Sequence, residues 1–196
     1  MLSHMNGKIT KLIKAIKNNF LILLIAVIFL VPPLRLFVMS SLQSLLIKIP
    51  FYEASVDNSD NTTKEINENI YLIDESGKRV AHIFSDYDYT FINFWASWCP
   101  PCLAEMPSIE KLYKKTENRN IRFLMISSDQ NFNKAIQLKE RKKFTFPIYS
   151  PLASIPTVLS HTSIPYTVIV DDQGRIIYEK EGIANYNSDE IINLFN

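Results

Sequence analysis

The two cysteines of this chain form a Cys-x-x-Cys pair, and this pair constrains the fold more than any other feature. Cys99 and Cys102 are the only cysteines in 196 residues, and Pro100 and Pro101 separate them. The pair follows an apolar run, Thr90 to Ala96, that is typical of a buried strand, and it precedes a segment with helical spacing. A cysteine pair between a strand and a helix is the arrangement used for thiol–disulfide chemistry.

The charge of the chain is unevenly distributed. Six basic residues and no acidic ones precede Glu53, whereas the rest of the chain has 15 basic and 20 acidic residues, a net charge of −5. The hydrophobic share of 47% is enough for a packed core, and only four glycines occur, which excludes a Gly-rich phosphate binder. Because nucleic-acid phosphates need a positive surface, the acidic balance of the larger part predicts that it binds no nucleic acid.

Residues 1–50 form the basic and apolar N-terminal segment. Four lysines precede an uncharged apolar run that begins at Phe20, and apolar residues continue to Met39. We expect an uncleaved transmembrane signal anchor here, followed by an amphipathic piece from Ser40 to Ile49 that lies on the membrane surface. Because the lysines precede the run, the domain is expected on the extracytoplasmic, periplasmic side of the bacterial cytoplasmic membrane, where thiols can be oxidised.

Two other interpretations of this segment stay open. A cleaved signal peptide needs a small-residue cleavage site, for which the sequence from Val38 to Ser41 is a poor match. A buried or interfacial helix is the third alternative, since the apolar run reaches a spanning length only by including two prolines and Arg35. The polar residues 51–68 are interpreted as a linker, and a folded domain is expected over 69–196.

The pattern of residues 69–196 predicts alternating strands and helices. Strands are expected where apolar and β-branched residues run together, at 69–73, 79–84, 90–96, 121–127, 146–149, 166–170 and 175–180. Helices are expected over 100–116 and 131–142, where apolar residues recur every three or four positions, and after a Ser188 N-cap. This order, β-α-β-α-β followed by β-β-α, indicates an α/β domain.

The sequence WASWCPPC, from Trp95 to Cys102, resembles the active-site segment of the thioredoxin fold. More narrowly, it is similar to the membrane-anchored, extracytoplasmic thioredoxin-like reductases of the TlpA/ResA type. The resemblance covers residues 69–196 and includes Glu105 and the sequence SIPYT from Ser163 to Thr167. It implies a thioredoxin-like fold with a central mixed sheet flanked by helices. It also implies a cis peptide bond before Pro165, with that proline facing the two cysteines.

One position departs from thioredoxin itself, because Asn93 stands where thioredoxin keeps a buried aspartate. The TlpA/ResA type also lacks that aspartate, and in it a glutamate at the position of Glu105 is implicated in proton handling. The resemblance therefore implies that Glu105 exchanges protons with Cys102. An ordinary first-turn glutamate that favours the helix dipole is the alternative.

Cys99 is expected at the N-cap of the helix, with Pro100 at the first helical position. The helix dipole should lower the pKa of the Cys99 thiol below its free value of about 8.5 and make Cys99 the nucleophile, while the more buried Cys102 resolves the mixed disulfide. Pro100 and Pro101 have no N–H to stabilise the thiolate, so we expect a moderate lowering of this pKa and a reductant. A static structural disulfide is the alternative, although so short a loop constrains the unfolded chain little.

The residues expected to face the substrate lie beside or between the cysteines or before the proline: Trp98, Pro100, Pro101 and Ile164. For Trp98, plain packing is the alternative. Trp95 is expected in the core. We expect no cofactor other than the redox-active Cys99–Cys102 disulfide. A zinc site is not expected, because zinc needs four ligands and no histidine is adjacent to the pair.

Together these expectations describe a membrane-anchored extracytoplasmic thiol–disulfide oxidoreductase that reduces disulfides of partner proteins. A membrane thiol–disulfide electron donor is expected as a further partner, and cytochrome c maturation is a pathway in which such proteins act. One alternative is a thiol peroxidase on the same fold, but its P-x-x-x-T-x-x-C context is absent from the sequence. The other is a membrane-tethered binding module with a redox-inert pair.

Overall fold

A computed structural model describes residues 64–195 continuously, together with isolated positions in the first 38 residues. The chain divides into two compact units, Met1–Ser41 and Leu42–Asn196. In the first unit the described positions are mostly helical. Among the described residues, no helix is both long and apolar enough to cross a membrane. Apart from those isolated positions, the predicted anchor and amphipathic segment, 1–50, lie outside the described residues, as does most of the predicted linker.

The second unit is an α/β domain with the element order that the sequence predicts. Within residues 64–195 the strands are β1 (Ile70–Asp74), β2 (Arg79–His82), β3 (Tyr89–Trp95), β4 (Ile121–Ser127), β5 (Ile148–Pro151), β6 (Tyr166–Asp171) and β7 (Ile176–Glu181). The α-helices of this part of the chain are α1 (Pro100–Lys115), α2 (Phe132–Lys142) and α3 (Asp189–Asn193). Short 3₁₀ turns lie at Phe84–Asp86 and Thr157–Leu159.

The strands form one mixed sheet in the order β2-β1-β5-β4-β3-β6-β7. The β3–β4 and β4–β5 pairs are parallel, and the remaining pairs are antiparallel. The apolar runs in β3 and β4 lie in the middle of the sheet, because strands buried on both faces need apolar residues at consecutive positions. The cysteine pair directly follows β3 and is therefore held by the most buried part of the domain.

Each face of the sheet has its own apolar core. Residues of α1, α2 and α3 pack on one face against alternate residues of the central strands, among them Phe91, Trp95 and Phe123. On the other face Ile92, Phe94, Val168 and their neighbours pack with apolar side chains from outside the α-helices, among them Ile66, Phe84 and Leu159. Trp95 is 1% exposed, which confirms its predicted place in the core.

Four strands differ from the sequence prediction by one residue at one or both bounds, and two, β5 and β2, differ by two residues for identifiable reasons. β5 begins at Ile148 and not at Phe146, because Pro147 has no N–H to donate to a neighbouring strand. The N–H of Ile148, the first residue of the strand, donates to the side chain of Glu75, at 3.1 Å from its Oε1. β2 ends at His82 because the chain turns there into the 3₁₀ turn that contains the buried Phe84.

Residues 64–66, in the described part of the predicted linker, lie beside the start of β7. The Ile66 N–H donates to the carbonyl of Gly174 across 2.8 Å, and the Ile176 N–H donates to the carbonyl of Lys64 across 2.9 Å. Gly174 has a φ of +82°, and a Cβ atom at this position would lie 2.5 Å from the Ile66 carbonyl oxygen. Glycine is therefore required both for the turn and for the close approach of residue 66.

Candidate active site around the cysteine pair

The cysteine pair lies at the first turn of α1, as the sequence predicts. Cys99 is the N-cap residue in an extended conformation, and Pro100 occupies the first helical position. Cys99 and Cys102 form a disulfide, and the Cys102 N–H donates to Sγ of Cys99 across 3.2 Å. This N–H is one of the free donors of the helix N-terminus, so it favours negative charge on Cys99 Sγ when the pair is reduced.

The two cysteines differ in their access to solvent. Cys102 is completely buried, whereas Cys99 is 3% exposed and lies beside Trp98, which is 58% exposed. Pro100 and Pro101 are half-buried at the helix start. Of the two cysteines, Cys99 is therefore the one nearer to solvent.

The loop before β6 brings the predicted proline to the cysteine pair. The Ile164–Pro165 peptide bond is cis, as the resemblance implies. Sγ of Cys99 lies 3.7 Å from the carbonyl oxygen of Ile164. Pro165 is buried and Ile164 is half-buried. The segments that contain Cys99 and Ile164 therefore lie side by side, although 65 positions of sequence separate the two residues.

Glu181 holds this loop in place, a role that the sequence does not signal. Its Oε1 accepts hydrogen bonds from the N–H and the hydroxyl of Thr162, at 3.1 and 2.8 Å. It also accepts from the N–H and the hydroxyl of Ser163, at 2.5 and 2.8 Å. These hydrogen bonds lower the pKa of Glu181, so the carboxylate is ionised at neutral pH.

Asp129 holds the segment between β3 and Cys99, and it too has no local sequence signature. Its Oδ2 accepts from the Ser97 N–H and the Ser127 hydroxyl, both at 2.8 Å. Its Oδ1 accepts from the Ser97 hydroxyl at 2.7 Å. Asp129 follows β4, which is parallel to β3, so the ends of two parallel strands bring the three side chains together.

Glu105 lies one turn of α1 beyond Cys102 and is completely buried. Its Oε1 accepts from Nδ2 of Asn93 at 2.8 Å, and its Oε2 accepts from the Ala184 N–H at 3.2 Å. Burial raises the pKa of Glu105 to about 8, although the two hydrogen bonds act in the opposite direction. A carboxyl with this pKa can both take up and release a proton near neutral pH.

Further buried polar groups lie behind Glu105. Asn93 and Thr167 face each other across the β3–β6 pair, and Nδ2 of Asn93 donates to Oγ1 of Thr167 across 2.8 Å. The Tyr186 hydroxyl donates to the same Oγ1 across 2.8 Å. Among the described residues, no group of three or more histidine, cysteine or carboxylate side chains is placed to hold a metal ion.

Comparison with known proteins agrees with this geometry. Residues 85–192, more than half of the chain, match the redoxin family. The thiol-disulfide oxidoreductase ResA of Bacillus thuringiensis subsp. konkukian is 27% identical over 121 residues, which are 58% of this chain and 66% of the relative. The thioredoxin-like protein YneN of Bacillus subtilis is 31% identical over 107 residues, 54% of this chain and 57% of the relative. The matched part thus spans less than two thirds of the length of these relatives.

A solved structure gives the same fold. The crystal structure of a thiol:disulfide interchange protein of the thioredoxin family from Chlorobium tepidum superposes with a TM-score of 0.56 at 18% identity, covering 70% of this chain and 99% of the other. This likeness shows a thioredoxin-like fold. Together with the ResA relatives and the cysteine pair at the start of α1, it confirms the resemblance to the TlpA/ResA type. The chain belongs to the redoxin family.

Proposed function

We propose that the chain is a protein thiol–disulfide oxidoreductase that acts through the Cys99–Cys102 pair. One observation carries the proposal: the disulfide lies at the start of a helix, with Cys99 as the N-cap and, at 3% exposed, nearer to solvent than the fully buried Cys102. The Ile164 carbonyl beside Cys99 adds a second peptide segment that a polypeptide substrate would contact. The names of the relatives support the same reaction class.

In the reaction that we propose, the reduced Cys99 thiolate attacks one sulfur of a substrate disulfide, and the other substrate sulfur leaves as a thiolate. Cys102 then loses its proton and attacks Sγ of Cys99, which releases the second substrate thiolate and forms the Cys99–Cys102 disulfide. Two electrons pass to the substrate. Glu105 takes up the proton from Cys102, a role that its raised pKa supports.

We propose that the pair acts as a reductant. The Cys102 N–H donates to Sγ of Cys99, but Pro100 and Pro101 have no N–H to add. A thiolate with few hydrogen-bond donors is stabilised less, so its pKa stays closer to the ordinary range. The reduced form of the pair is then less stable relative to the disulfide, and the pair gives up electrons more readily. An alkylation titration of Cys99 with a midpoint near pH 4 would contradict this direction.

We propose further that the domain is anchored outside the bacterial cytoplasmic membrane and receives electrons from a membrane thiol–disulfide donor. The lysines and apolar run of residues 1–50 support this placement. Proteins with disulfides, including those of cytochrome c maturation, are the proposed substrates. Protease protection of the full chain in spheroplasts tests the placement, because an extracytoplasmic domain is digested without lysis of the cells.

Reduction of insulin by dithiothreitol tests the activity of the full chain. We expect the wild-type protein to accelerate insulin reduction and Cys99→Ser to fall to the uncatalysed rate. Equal, uncatalysed rates for both would overturn the proposal and favour a binding module with an inert pair. Cys102→Ser should retain mixed disulfides on Cys99, and mass spectrometry of the trapped species identifies the substrates.

A further inference from the structure

A chain of buried hydrogen bonds lies behind Glu105. Asn93, Thr167 and Tyr186 are completely buried. The two hydrogens of Asn93 Nδ2 go to Oε1 of Glu105 and to Oγ1 of Thr167, each at 2.8 Å. The Tyr186 hydroxyl gives its hydrogen to the same Oγ1 at 2.8 Å. Thr167 therefore accepts from Asn93 and shares a hydrogen bond with Tyr186, and the Asn93 amide presents its nitrogen to Glu105.

The Tyr186 hydroxyl stays protonated in this chain of hydrogen bonds. Burial holds the pKa of its hydroxyl well above the ordinary value, so the hydroxyl keeps its proton throughout the physiological range. The Tyr186 N–H also donates to Oγ of Ser108 at 3.1 Å, and that hydroxyl donates to the Glu105 carbonyl at 2.7 Å. The residue is thus fixed to α1 through its backbone while its hydroxyl holds Thr167.

The two carboxyl oxygens of Glu105 have different surroundings. Oε1 receives the shorter hydrogen bond, 2.8 Å from Asn93, whereas Oε2 receives one of 3.2 Å from the Ala184 N–H. A protonated carboxyl has one O–H, and both oxygens of Glu105 face an N–H donor, so the hydrogen is disfavoured more on Oε1, which has the closer donor. The geometry therefore makes Oε2 the better carrier of the proton.

We propose that Asn93, held by Thr167 and Tyr186, is a positioning residue for Glu105, and that it assigns the exchanging proton to Oε2 by donating to Oε1. This inference rests on the proposed function, in which Glu105 takes the Cys102 proton. In that step the S–H bond of Cys102 breaks and an O–H bond forms on Oε2, and the carboxyl later returns the proton to solvent. Asn93 remains a donor to Oε1 in both states.

The other titratable groups around Glu105 do not replace this interaction. Cys102 lies on the same helix, and Tyr178 of β7 and Tyr186 both interact electrostatically with Glu105. Glu190 of α3 acts on Tyr178. None of these side chains is a cation. The hydrogen bonds from the Asn93 amide and the Ala184 N–H are the interactions that favour the ionised carboxyl.

Titration of Glu105 by ¹³C NMR tests the proposal in the oxidised, full-length chain carrying glutamate labelled at the carboxyl carbon. Glu105→Gln identifies the signal. Loss of the Asn93 donor in Asn93→Ala should move the Glu105 midpoint upward by about one pH unit, and Tyr186→Phe should move it less in the same direction. Thr90→Val is the matched control, because it removes a buried hydroxyl of β3 on the other face, and its midpoint should equal that of the wild type.

A second variant guards against misfolding of Asn93→Ala. Asn93→Asp keeps the shape of the side chain and places two carboxyls at hydrogen-bond distance, so they should titrate in two steps, one above and one below the wild-type midpoint. A second readout is the pH profile of insulin reduction, which Asn93→Ala should change in the wild-type background but not in Glu105→Gln. A purely structural role would change the profile equally in both backgrounds.

The outcomes separate this inference from the proposed function. An unchanged or lowered midpoint in Asn93→Ala, or a single unshifted step in Asn93→Asp, overturns the positioning role of Asn93. If the titration midpoint of Glu105 in Tyr186→Phe equals that of the wild type, Tyr186 does not help to hold Asn93 and that part of the proposal is wrong. The shifted midpoints without any insulin reduction overturn the proposed function and leave the positioning intact, since the titration needs no turnover.

Discussion

The Ala184 N–H donates to Oε2 of Glu105 across 3.2 Å, although 79 positions of sequence separate the two residues. Ala184 lies after β7, and Glu105 lies in α1 behind the cysteine pair. This contact joins the C-terminal part of the domain to the redox site. It also supplies a fixed donor to a carboxyl from which burial has removed the surrounding water.

The buried carboxyl of Glu105 predicts a loss of stability with rising pH. Its pKa is about 8 in the folded chain and 4.5 ordinarily, so between these values the folded state holds a proton that the unfolded state has lost. The stabilisation is complete below pH 4.5 and disappears as the pH rises through 8, a change on the order of 5 kcal/mol. Urea denaturation at several pH values should show this fall, and Glu105→Gln should abolish it.

His82 predicts a slope of the opposite sign at acid pH. It is buried, its Nε2 lies 3.0 Å from Oγ1 of Thr90, and burial lowers its pKa from 6.5 to about 4, with Arg122 adding to the effect. Between these values the unfolded state binds the extra proton, so stability rises from pH 4 to 6.5 by on the order of 3 kcal/mol.

The falling contribution of Glu105 and the rising contribution of His82 to the free energy of unfolding overlap below pH 6.5. Substitutions separate the two contributions. Glu105→Gln should show a free energy of unfolding that rises with pH up to 6.5 and then stays level. Above pH 4.5, where carboxylates with lowered pKa values such as Glu181 no longer contribute a slope, His82→Asn should show only the fall caused by Glu105. A wild-type acid slope in His82→Asn would mean that other groups cause it.

Glu181→Ala should slow disulfide exchange while leaving the fold intact. The carboxylate is exposed, but its Oε1 holds Thr162 and Ser163, which directly precede the residues beside Cys99. Release of this loop should reduce the rate of insulin reduction by up to about 10-fold, less than the roughly 100-fold that a 1 Å misplacement of a reacting group can cause. Asp172→Ala, an exposed carboxylate in the β6–β7 turn, is the control and should have the wild-type rate. Equal rates in the two variants would show that the loop needs no anchor.

Patterns that lie within one segment were sufficient to predict much of this fold. β4 has the predicted bounds, 121–127, because an unbroken apolar run of strand length between polar residues has few alternatives. Cys99 and Ser188 are N-caps because a residue that can accept from the free N–H groups stabilises a helix start. The cis bond before Pro165 followed from the resemblance, since the chain around Pro165 has no local signal for it.

The side chains that hold the site could not be predicted in the same way. Asp129 and Glu181 are ordinary polar residues in sequence, and their partners lie 32 and 18 or 19 positions away. Tyr186 reaches Thr167 from the segment after β7, which lies against α1 where the Tyr186 N–H donates to Oγ of Ser108. Such contacts depend on the register and order of strands. The direct pairing of Asn93 with Thr167 is the one that the thioredoxin topology itself could have suggested.

Asp129→Ala should destabilise the domain and slow catalysis together. Asp129 is 8% exposed and accepts three hydrogen bonds, two of them from Ser97, two residues before Cys99. Its removal leaves the Ser97 N–H and two hydroxyls without an acceptor, which should lower the free energy of unfolding by about 2–3 kcal/mol. Ser97→Ala, which loses one of these bonds, should cost only about 1 kcal/mol. Urea denaturation and insulin reduction measured on the same samples check both effects. A wild-type stability in Asp129→Ala would show that solvent replaces the carboxylate and that the strand ends alone position Cys99.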